Sequence, residues 1–325
     1  MTIGTSWHPG LAWRRAAVAE AHPTDQARSR GRPASGAGRD QLSDERGGAH
    51  QELLAVRDEE YGDRTAPGPV PTAGPTHVIT VGVLTPHATA GADVEFSQMA
   101  PAQVRTKVSR IRTAVSSTSD GGEPPTSPEG LRELATPAAI NEAASAFRPG
   151  SVDALAFAST SSGYAIGYDA ESALQERLRE RWGVPVCAAA LSAVGGLRSH
   201  HIQRISLVHP PWFGHSLNQL GAEYFQSQGF EVVDAHLADL PNDPDQIEPA
   251  MVVEWISQHI SHRAEAVIIG GNGFRAARAI HELEDRLGRL VLEANQVLLW
   301  SILEGAGLSV TIQGFGLLFD DMVVR

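Results

Sequence analysis

The sequence predicts an α/β protein built on parallel sheets. From residue 77 onward, short β-branched or apolar runs alternate with segments of helical periodicity. Four of these apolar runs end in loops rich in Ser, Gly, Pro or His. Repeated βα units of about 25 to 40 residues favour parallel strands. Because ligands bind at the carboxyl ends of such strands, function is expected in the loops that follow them.

The elements follow in order. A buried strand is predicted over residues 77–84, and Thr85 and Pro86 end it. A second strand over residues 152–158 precedes a Ser/Thr loop and a helix with Leu174, Leu178 and Trp182 at helical spacing. Further strands are predicted at residues 184–188, 204–208, 230–233 and 264–269, and further helices at residues 191–200, 217–228 and 251–260.

Residues 1–76 differ from the rest of the chain. They mix Arg, Asp, Glu, Gly and Pro without an apolar period, so they cannot bury enough surface to offset the entropy of ordering. We predict a disordered N-terminal extension over residues 1–76. An incidental extension is favoured over a regulatory or targeting segment.

Composition excludes several classes of function. The 325 residues carry a formal charge of -12 and no basic cluster, which argues against nucleic-acid binding. Lys107 is the only lysine, so a Walker-type loop is absent and a pyridoxal enzyme is disfavoured. The single cysteine, Cys187, excludes a disulfide framework and a multi-cysteine metal site. Without an apolar run of about 20 residues or a signal peptide, a cytoplasmic protein that does not contact a membrane is expected.

Two loops carry the residues that could bind a small anion. Hydroxyl groups and backbone N–H groups are concentrated at residues 158–162, while residues 270–273 read Gly-Gly-Asn-Gly. Such donors can hold a carboxylate or a developing enediolate without any lysine. The alternatives are that the hydroxyls cap the following helix and that the glycines form a tight turn. The glycine loop lacks the G-x-G-x-x-G spacing of a dinucleotide site.

Several of these segments resemble one known family. They are the run Val81 to Pro86 with residues 93–96 downstream, the loop at 158–162, the strand at 204–208, residues 229–232, and residues 293–296 followed by Trp300. Their order and spacing over residues 77 to 318 resemble the maleate isomerase and arylmalonate decarboxylase branch of the aspartate/glutamate racemase superfamily.

The resemblance implies two pseudo-symmetric α/β lobes with a cofactor-free site in the cleft between them. The first lobe is expected to comprise residues 77–196 plus 297–325, and the second residues 197–296. The implied chemistry takes place at a carbon next to a carboxylate, so the expected partner is a small carboxylic acid.

The sequence departs from the pattern that the resemblance implies at the cysteines. Family members carry a cysteine in one or both facing loops, and the two positions fall at about Ser159 and Gly271 here. Two-cysteine racemisation is therefore excluded, and addition of a thiolate to an alkene is doubtful because serine is a far weaker nucleophile. Thr89 stands near the position of an expected asparagine, and residues 210–213 replace a loop that usually carries a tyrosine.

Candidate roles follow from this reading. The catalytic candidates are His87, His209, Ser159 and Tyr164, and the substrate-binding candidates are Thr89, Thr160, Ser161, Ser162, Gly271, Asn272 and Gly273. Either histidine follows a predicted strand and could move the proton that the missing thiols do not. His209 is alternatively a packed loop residue, and Tyr164 a core aromatic.

Other residues have simpler interpretations. Cys187 lies in an apolar strand and is expected to be a small buried hydrophobe. Asn295 and Gln296 are expected to cap the helix that leads to Trp300 and to hold the two lobes together. No spacing of His, Asp or Glu suggests a metal site.

Three functional hypotheses remain. The favoured one is a cofactor-independent isomerase or decarboxylase-like lyase that works through an enediolate-like intermediate with non-cysteine proton transfer. A catalytically degenerate small-acid binding or regulatory protein is the alternative. A hydrolase or condensing enzyme that uses Ser159 or Ser161 is disfavoured, since no G-x-S-x-G motif is present. The oligomeric state is left open, with a homo-oligomer as one option.

Overall fold

A computed structural model describes residues 78–87, 90–113, 127–308 and 310–320. The predicted disordered extension, residues 1–76, lies outside the described residues, and so do the first residue of the predicted first strand and Thr89. The limits predicted for the two lobes therefore stay predictions.

The first half of the described chain forms a four-stranded parallel sheet. Its strands are β1 (Ile79–Thr85), β2 (Val104–Arg110), β3 (Ala154–Phe157) and β4 (Val186–Ala188), in the order β2-β1-β3-β4. The central strands β1 and β3 are buried on both faces, as expected for strands covered by crossover helices.

The second half repeats this arrangement. Its strands are β5 (Arg204–His209), β6 (Glu231–Leu237), β7 (Ala266–Ile269) and β8 (Leu290–Glu293), in the order β6-β5-β7-β8. In both sheets the second strand along the chain lies at one edge and the fourth at the other. The common order confirms the predicted α/β class with two pseudo-symmetric parallel sheets.

Helices connect and cover the strands. They are α1 (Ala92–Met99), α2 (Pro128–Leu134), α3 (Pro137–Ala144), α4 (Thr160–Ile166), α5 (Tyr168–Trp182), α6 (Ala189–Ser199), α7 (His215–Ser227), α8 (Pro249–His259), α9 (Ile280–Leu287), α10 (Ala294–Gly305) and α11 (Leu317–Asp320), with short 3-10 turns at Pro244–Gln246 and Ala277–Ala279. Local signals set several ends. Ser127 and Thr136 cap α2 and α3 just before a proline, and Gly183 in the left-handed conformation ends α5. None of the helices described here is long and apolar enough to span a membrane.

Helix α10 links the two halves. It follows β8 of the second sheet, yet it packs against α1 and α6 of the first half as well as against β4. Its buried face includes Val297, Leu298 and Leu299, which belong to the two large apolar clusters of the molecule. This return of the chain holds the carboxyl ends of the two sheets close to each other.

Two strands were not predicted from the sequence. Strand β2 is an edge strand in which only Val104 and Ser109 are buried, so it lacks the apolar run by which buried strands are recognised. Strand β8 has only four residues and lies directly before α10, so its apolar positions merge with those of the helix. The predicted strand at 230–233 is longer than expected, since β6 continues to Leu237.

Candidate active site between the two sheets

The hydroxyl-rich loop follows β3 and leads into α4. Ser159 caps this helix: its Oγ accepts the Ser162 N–H at 3.3 Å and donates to Ser162 Oγ at 2.8 Å. Ser161 Oγ lies 3.4 Å from the same hydroxyl. The three serines are therefore buried in one local hydroxyl cluster, and among the described residues no histidine hydrogen-bonds to Ser159. The residue that caps α4 is thus Ser159, whereas capping was the alternative for the hydroxyls of the three residues that follow it.

The glycine-rich loop follows β7. Gly271 has φ of 91°, a conformation that residues with a side chain rarely adopt. A Cβ at this position would lie 2.9 Å from both Cδ and Cγ of Pro210. Two independent constraints therefore require glycine here, where the resemblance implies the second cysteine.

The two loops contact each other directly. The Thr160 N–H donates to Asn272 Oδ1 at 2.9 Å, and the Gly271 N–H donates to Thr160 Oγ1 at 2.9 Å. Since the Thr160 hydroxyl oxygen accepts from Gly271, its own proton can be donated to another group. Thr160, Gly271 and Asn272 are thus brought together, as expected for two loops that share one site.

His209 and Tyr164 form a buried aromatic pair beside these loops. Their ring centroids are 5.5 Å apart in an edge-on arrangement, and the ring of Phe213 stacks on that of His209 with centroids 5.3 Å apart. A Cβ at Gly270 would lie 2.9 Å from His209 Nε2 and 3.0 Å from Tyr164 Oη. Gly270 therefore allows the polar ends of both side chains to reach the carboxyl end of β7.

The protonation of His209 follows from its neighbours. Asn218 donates through Nδ2 to the Ala235 carbonyl at 3.1 Å, so its Oδ1 faces His209 Nδ1 at 2.7 Å and Nδ1 carries the proton. Nε2 is buried and has no hydrogen-bond partner among the described residues. Burial lowers the pKa of His209 to about 4, so the ring is neutral at pH 7. Burial first, and then the charge of Glu171, raises the pKa of Tyr164.

His87 occupies a different part of the same region. It is half-buried, its N–H donates to Thr85 Oγ1 at 3.2 Å, and its Nδ1 lies 3.7 Å from the position of a Cβ at Gly273. Burial, and secondarily the charge of Arg110, lowers its pKa to about 4. Thr89, the remaining candidate of this segment, lies outside the described residues.

Arg110 was not predicted from the sequence as a site residue. It is the last residue of β2 and is in register with Thr85, the last residue of β1. It therefore lies at the carboxyl end of the first sheet, as His87 does. The unpredicted strand β2 places it there, and only recognition of that strand would have revealed it. Arg110 brings a positive charge to this edge of the first sheet.

A network of amide and carboxyl groups behind the two loops was also missed. Asn272 Nδ2 donates to Asn295 Oδ1 at 2.8 Å, and Asn295 Nδ2 donates to Glu95 Oε2 at 2.6 Å. The prediction that Asn295 caps its helix is wrong. Glu293 is the capping residue, and Gln296 completes a capping box with it, while the Asn295 side chain joins α1 to the glycine-rich loop.

Cys187 lies in the interior of β4, buried as predicted. Burial raises the pKa of its thiol to about 12, so thiolate is scarce at neutral pH. No group of His, Cys, Asp and Glu in the described part of the chain is arranged to hold a metal ion.

Two repeated parallel sheets whose carboxyl ends meet at Thr160, Gly271 and Asn272 define a two-lobed α/β protein with its candidate site between the halves. Residues 127–319 match the sequence model of the arylmalonate decarboxylase family, and the chain belongs to that family. No curated protein matches the chain in sequence.

Solved structures agree with this assignment. A crystal structure of arylmalonate decarboxylase has 18% sequence identity and a TM-score of 0.59, covering 74% of this chain and 99% of that one. Maleate isomerase from Pseudomonas putida S16 has 19% identity and a TM-score of 0.64, with coverage of 75% and 99%. Maleate cis-trans isomerase from Nocardia farcinica has 20% identity and a TM-score of 0.63, with coverage of 76% and 100%. At these identities the likeness establishes the fold.

Proposed function

We propose that the protein is a cofactor-independent isomerase or decarboxylase-like lyase that acts next to the carboxylate of a small carboxylic acid through an enediolate-like intermediate. The observation that carries the proposal is the junction of the two loops, where Thr160 hydrogen-bonds to Gly271 and Asn272 in a chain of this family. The proposed site lies at this junction, at the carboxyl ends of both sheets.

The proposed carboxylate contacts come from the first loop and from β2. Thr160 and Ser161 supply hydroxyl donors, and Arg110 supplies positive charge at the same sheet edge. Fixed donors of this kind stabilise the negative charge that develops on carboxylate oxygens when an enediolate forms. Ser162 and Ser159 support this arrangement through the helix cap rather than through the ligand.

His87 is the proposed proton carrier. A catalytic base must come within hydrogen-bond reach of the atom that it protonates or deprotonates, and His87 is half-buried whereas His209 is fully buried. The neutral ring of His87 provides a lone pair at pH 7, because its pKa of about 4 lies well below that pH. His209 and Tyr164 form the wall behind Gly270 in this proposal.

Two observations favour the alternative, a small-acid binding protein that has lost its chemistry. The backbone N–H of Thr160 and the acceptor site of its hydroxyl are both used by the second loop. In addition, neither loop position implied for a family cysteine carries a thiol. A protein that binds acids without turning them over would keep the loop junction and need neither thiol.

A two-stage screen separates these functions. The full-length protein is first heated with each of a series of malonates, substituted malonates and unsaturated dicarboxylic acids, since a ligand of the folded state raises the unfolding temperature. Acids that stabilise the protein are then followed by proton NMR for CO₂ loss, isomerisation or exchange of the α-proton with solvent.

Variants then test the assignment. His87→Gln is expected to lower the turnover rate on the order of 10²- to 10⁴-fold with little change in ligand stabilisation. His281→Gln, at an exposed histidine of α9, is the matched control. Unchanged turnover in His87→Gln contradicts the role of His87, and binding of an acid without any turnover supports the binding protein instead.

A further inference from the structure

Two buried carboxyl groups from opposite halves of the molecule converge on one amide. Glu95, on α1, is 1% exposed, and Glu293, at the end of β8, is 0% exposed. Asn295 Nδ2 lies 2.6 Å from Glu95 Oε2 and 3.5 Å from Glu293 Oε1. Both groups take further backbone donors: Ala277 N–H donates to Glu95 Oε1 at 2.9 Å, and the N–H groups of Asn295 and Gln296 donate to Glu293 Oε2 at 2.8 and 2.9 Å.

The charges around the pair do not balance two carboxylates. Arg275, from the segment after the glycine-rich loop, acts on Glu95, and Glu293 faces the charge of Glu95. Arg275 is itself paired with Asp245, so its charge is shared. Two like charges around one neutral amide repel each other in a site without water contact, and a proton on one carboxyl group removes the repulsion.

A chain of hydrogen bonds with a defined direction joins the pair to the candidate site. Thr160 N–H can only donate, so Asn272 must present Oδ1 to it and Nδ2 to Asn295. Asn295 then accepts through Oδ1 and presents Nδ2 to Glu95. Asn295 Nδ2 also donates to the Asn272 carbonyl at 2.9 Å, so the same amide holds the backbone of the loop.

We propose that Glu95 and Glu293 share one proton and act as positioning residues, holding Asn295, and through it Asn272, against Thr160 at the junction of the two loops. Loss of the shared proton leaves two repelling carboxylates and loosens this anchor. The shared proton and the positioning of Asn295 and Asn272 are inferred from the contacts alone. Only the effect of the pair on turnover rests on the proposed function.

The electrostatics agree with the geometry. Burial, opposed by the hydrogen bonds of Asn295 and Ala277 and by Arg275, raises the pKa of Glu95 to about 7. Burial and then the charge of Glu95 raise the pKa of Glu293 well above its usual range. Because two interacting groups titrate as a unit, the proton belongs to the pair.

NMR titration of the glutamate side-chain carboxyl carbons between pH 4 and 9 tests the shared proton in the full-length protein. Glu95→Gln and Glu293→Gln each remove one signal and so assign the pair. In the parent we expect one carboxyl group to titrate near pH 7 and its partner higher. In Glu95→Gln the midpoint of Glu293 should fall by about one to three pH units, because the like charge is gone. In Glu293→Gln the midpoint of Glu95 should stay near 7, because Glu293 is still protonated when Glu95 ionises in the parent. Glu284→Gln, at another buried glutamate that accepts two backbone N–H groups, should move neither midpoint.

The side-chain amide signals of Asn272 and Asn295 test the positioning role. They should shift at the upper midpoint of the pair in the parent, where both carboxyl groups become charged, and this upper shift should be absent in Glu293→Gln. Midpoints of both carboxyl groups below about 5, or amide signals that ignore the titration, overturn the proposal.

Turnover adds a separate readout. With an acid from the screen, kcat should fall about ten- to a hundredfold as the proton is lost, as when a group that orients a functional residue is removed, with a smaller change in KM. Glu293→Gln should flatten this pH profile, and an unchanged profile overturns the positioning role. If no acid is turned over, the proposed function fails while the NMR titration still decides the inference.

Discussion

The two loops that meet at the candidate site are built in opposite ways. The first, at residues 158–162, presents side-chain hydroxyls and enters a helix with an ordinary serine cap. The second, at residues 270–273, presents backbone, with Gly271 in a left-handed conformation and against Pro210. Side chains can therefore be exchanged in the first loop, whereas the second loop depends on having none at Gly271.

This difference bears on the missing cysteines. At Ser159 a thiol would replace a hydroxyl of similar shape, and the loss would be that of a helix cap. At Gly271 any side chain would meet both an unfavourable φ and a steric overlap. The backbone of this loop is thus incompatible with the second thiol, and one substitution would not restore it.

The largest expected effect tests that statement. Gly271→Ala should lower the free energy of unfolding by about 2 to 5 kcal/mol, combining strain of the backbone with overpacking against Pro210. Gly229→Ala is the matched control, since Gly229 has φ of 87° but no atom within 4 Å of its missing Cβ. Urea denaturation should give a loss of about 1 kcal/mol for the control. Equal losses in the two variants would mean that the contact with Pro210 is not a constraint.

Substitutions of Thr160 test whether the first loop acts through its side chains. Thr160→Ala should reduce the turnover rate of any substrate on the order of 10²- to 10³-fold, because it removes a fixed donor to the developing oxyanion. Thr160→Ser keeps the hydroxyl and should stay close to the parent. The alanine variant also leaves the Gly271 N–H without its acceptor, so its stability should fall by about 1 to 3 kcal/mol.

Thr136→Ala provides the control for this variant. Thr136 caps α3 at the surface, so its replacement removes a threonine hydroxyl without touching the loop junction. Its stability should fall by about 0.5 to 2 kcal/mol and its turnover should not change. If Thr160→Ala turned over like this control, the hydroxyl would have no part in binding.

The pH dependence of stability tests His209, which lies in the wall behind Gly270. Its folded pKa of about 4 lies below the unfolded value of about 6.5, so the folded protein binds fewer protons between these values. The contribution of His209 to the free energy of unfolding is present above pH 6.5 and is lost as the pH falls towards 4. The total loss is about 3 kcal/mol. The raised pKa values of Glu95 and Glu171 act in the opposite sense, since their contributions are lost as the pH rises.

The difference between parent and variant therefore isolates His209. His209→Gln should remove this part of the acid-side loss when the free energy of unfolding is measured from pH 4 to 7, whatever its effect at neutral pH. His281→Gln, at an exposed position, should leave the profile of the parent intact. A parallel shift of the whole curve in His209→Gln, without a change of slope, would show that His209 titrates normally.

The sequence predicted the class of the fold because its buried strands carry their own signal. Residues 204–208 and 264–269 are apolar runs between helices, and both became central strands of the second sheet. Strand β2 escaped because an exposed edge strand has no such run, and with it Arg110 escaped. What could not be predicted depends on contacts between distant segments rather than on local pattern.

The candidate site shows the same limit. The two loops were predicted to lie together, and Thr160, Gly271 and Asn272 do, because parallel strands deliver their loops to one edge. Glu95 and Glu293 are 198 residues apart in the chain, and charged residues are rarely fully buried, so nothing local indicated that they approach the same amide. Their burial follows from α10 returning to the first half.

The smallest expected effect concerns Cys187, which lies in neither loop. With its pKa raised to about 12 by burial in β4, the thiol should react with iodoacetamide roughly a thousandfold more slowly in the native protein than after unfolding in urea. Cys187→Ala should retain the turnover of the parent, since no hydrogen bond among the described residues joins this strand to the loop junction, His87 or His209. Mass spectrometry of the alkylated protein and assays of the variant check both statements. Rapid alkylation of the native protein that abolished turnover, and against which the substrate acid protected, would place the chemistry at β4. The function would then not depend on the two loops.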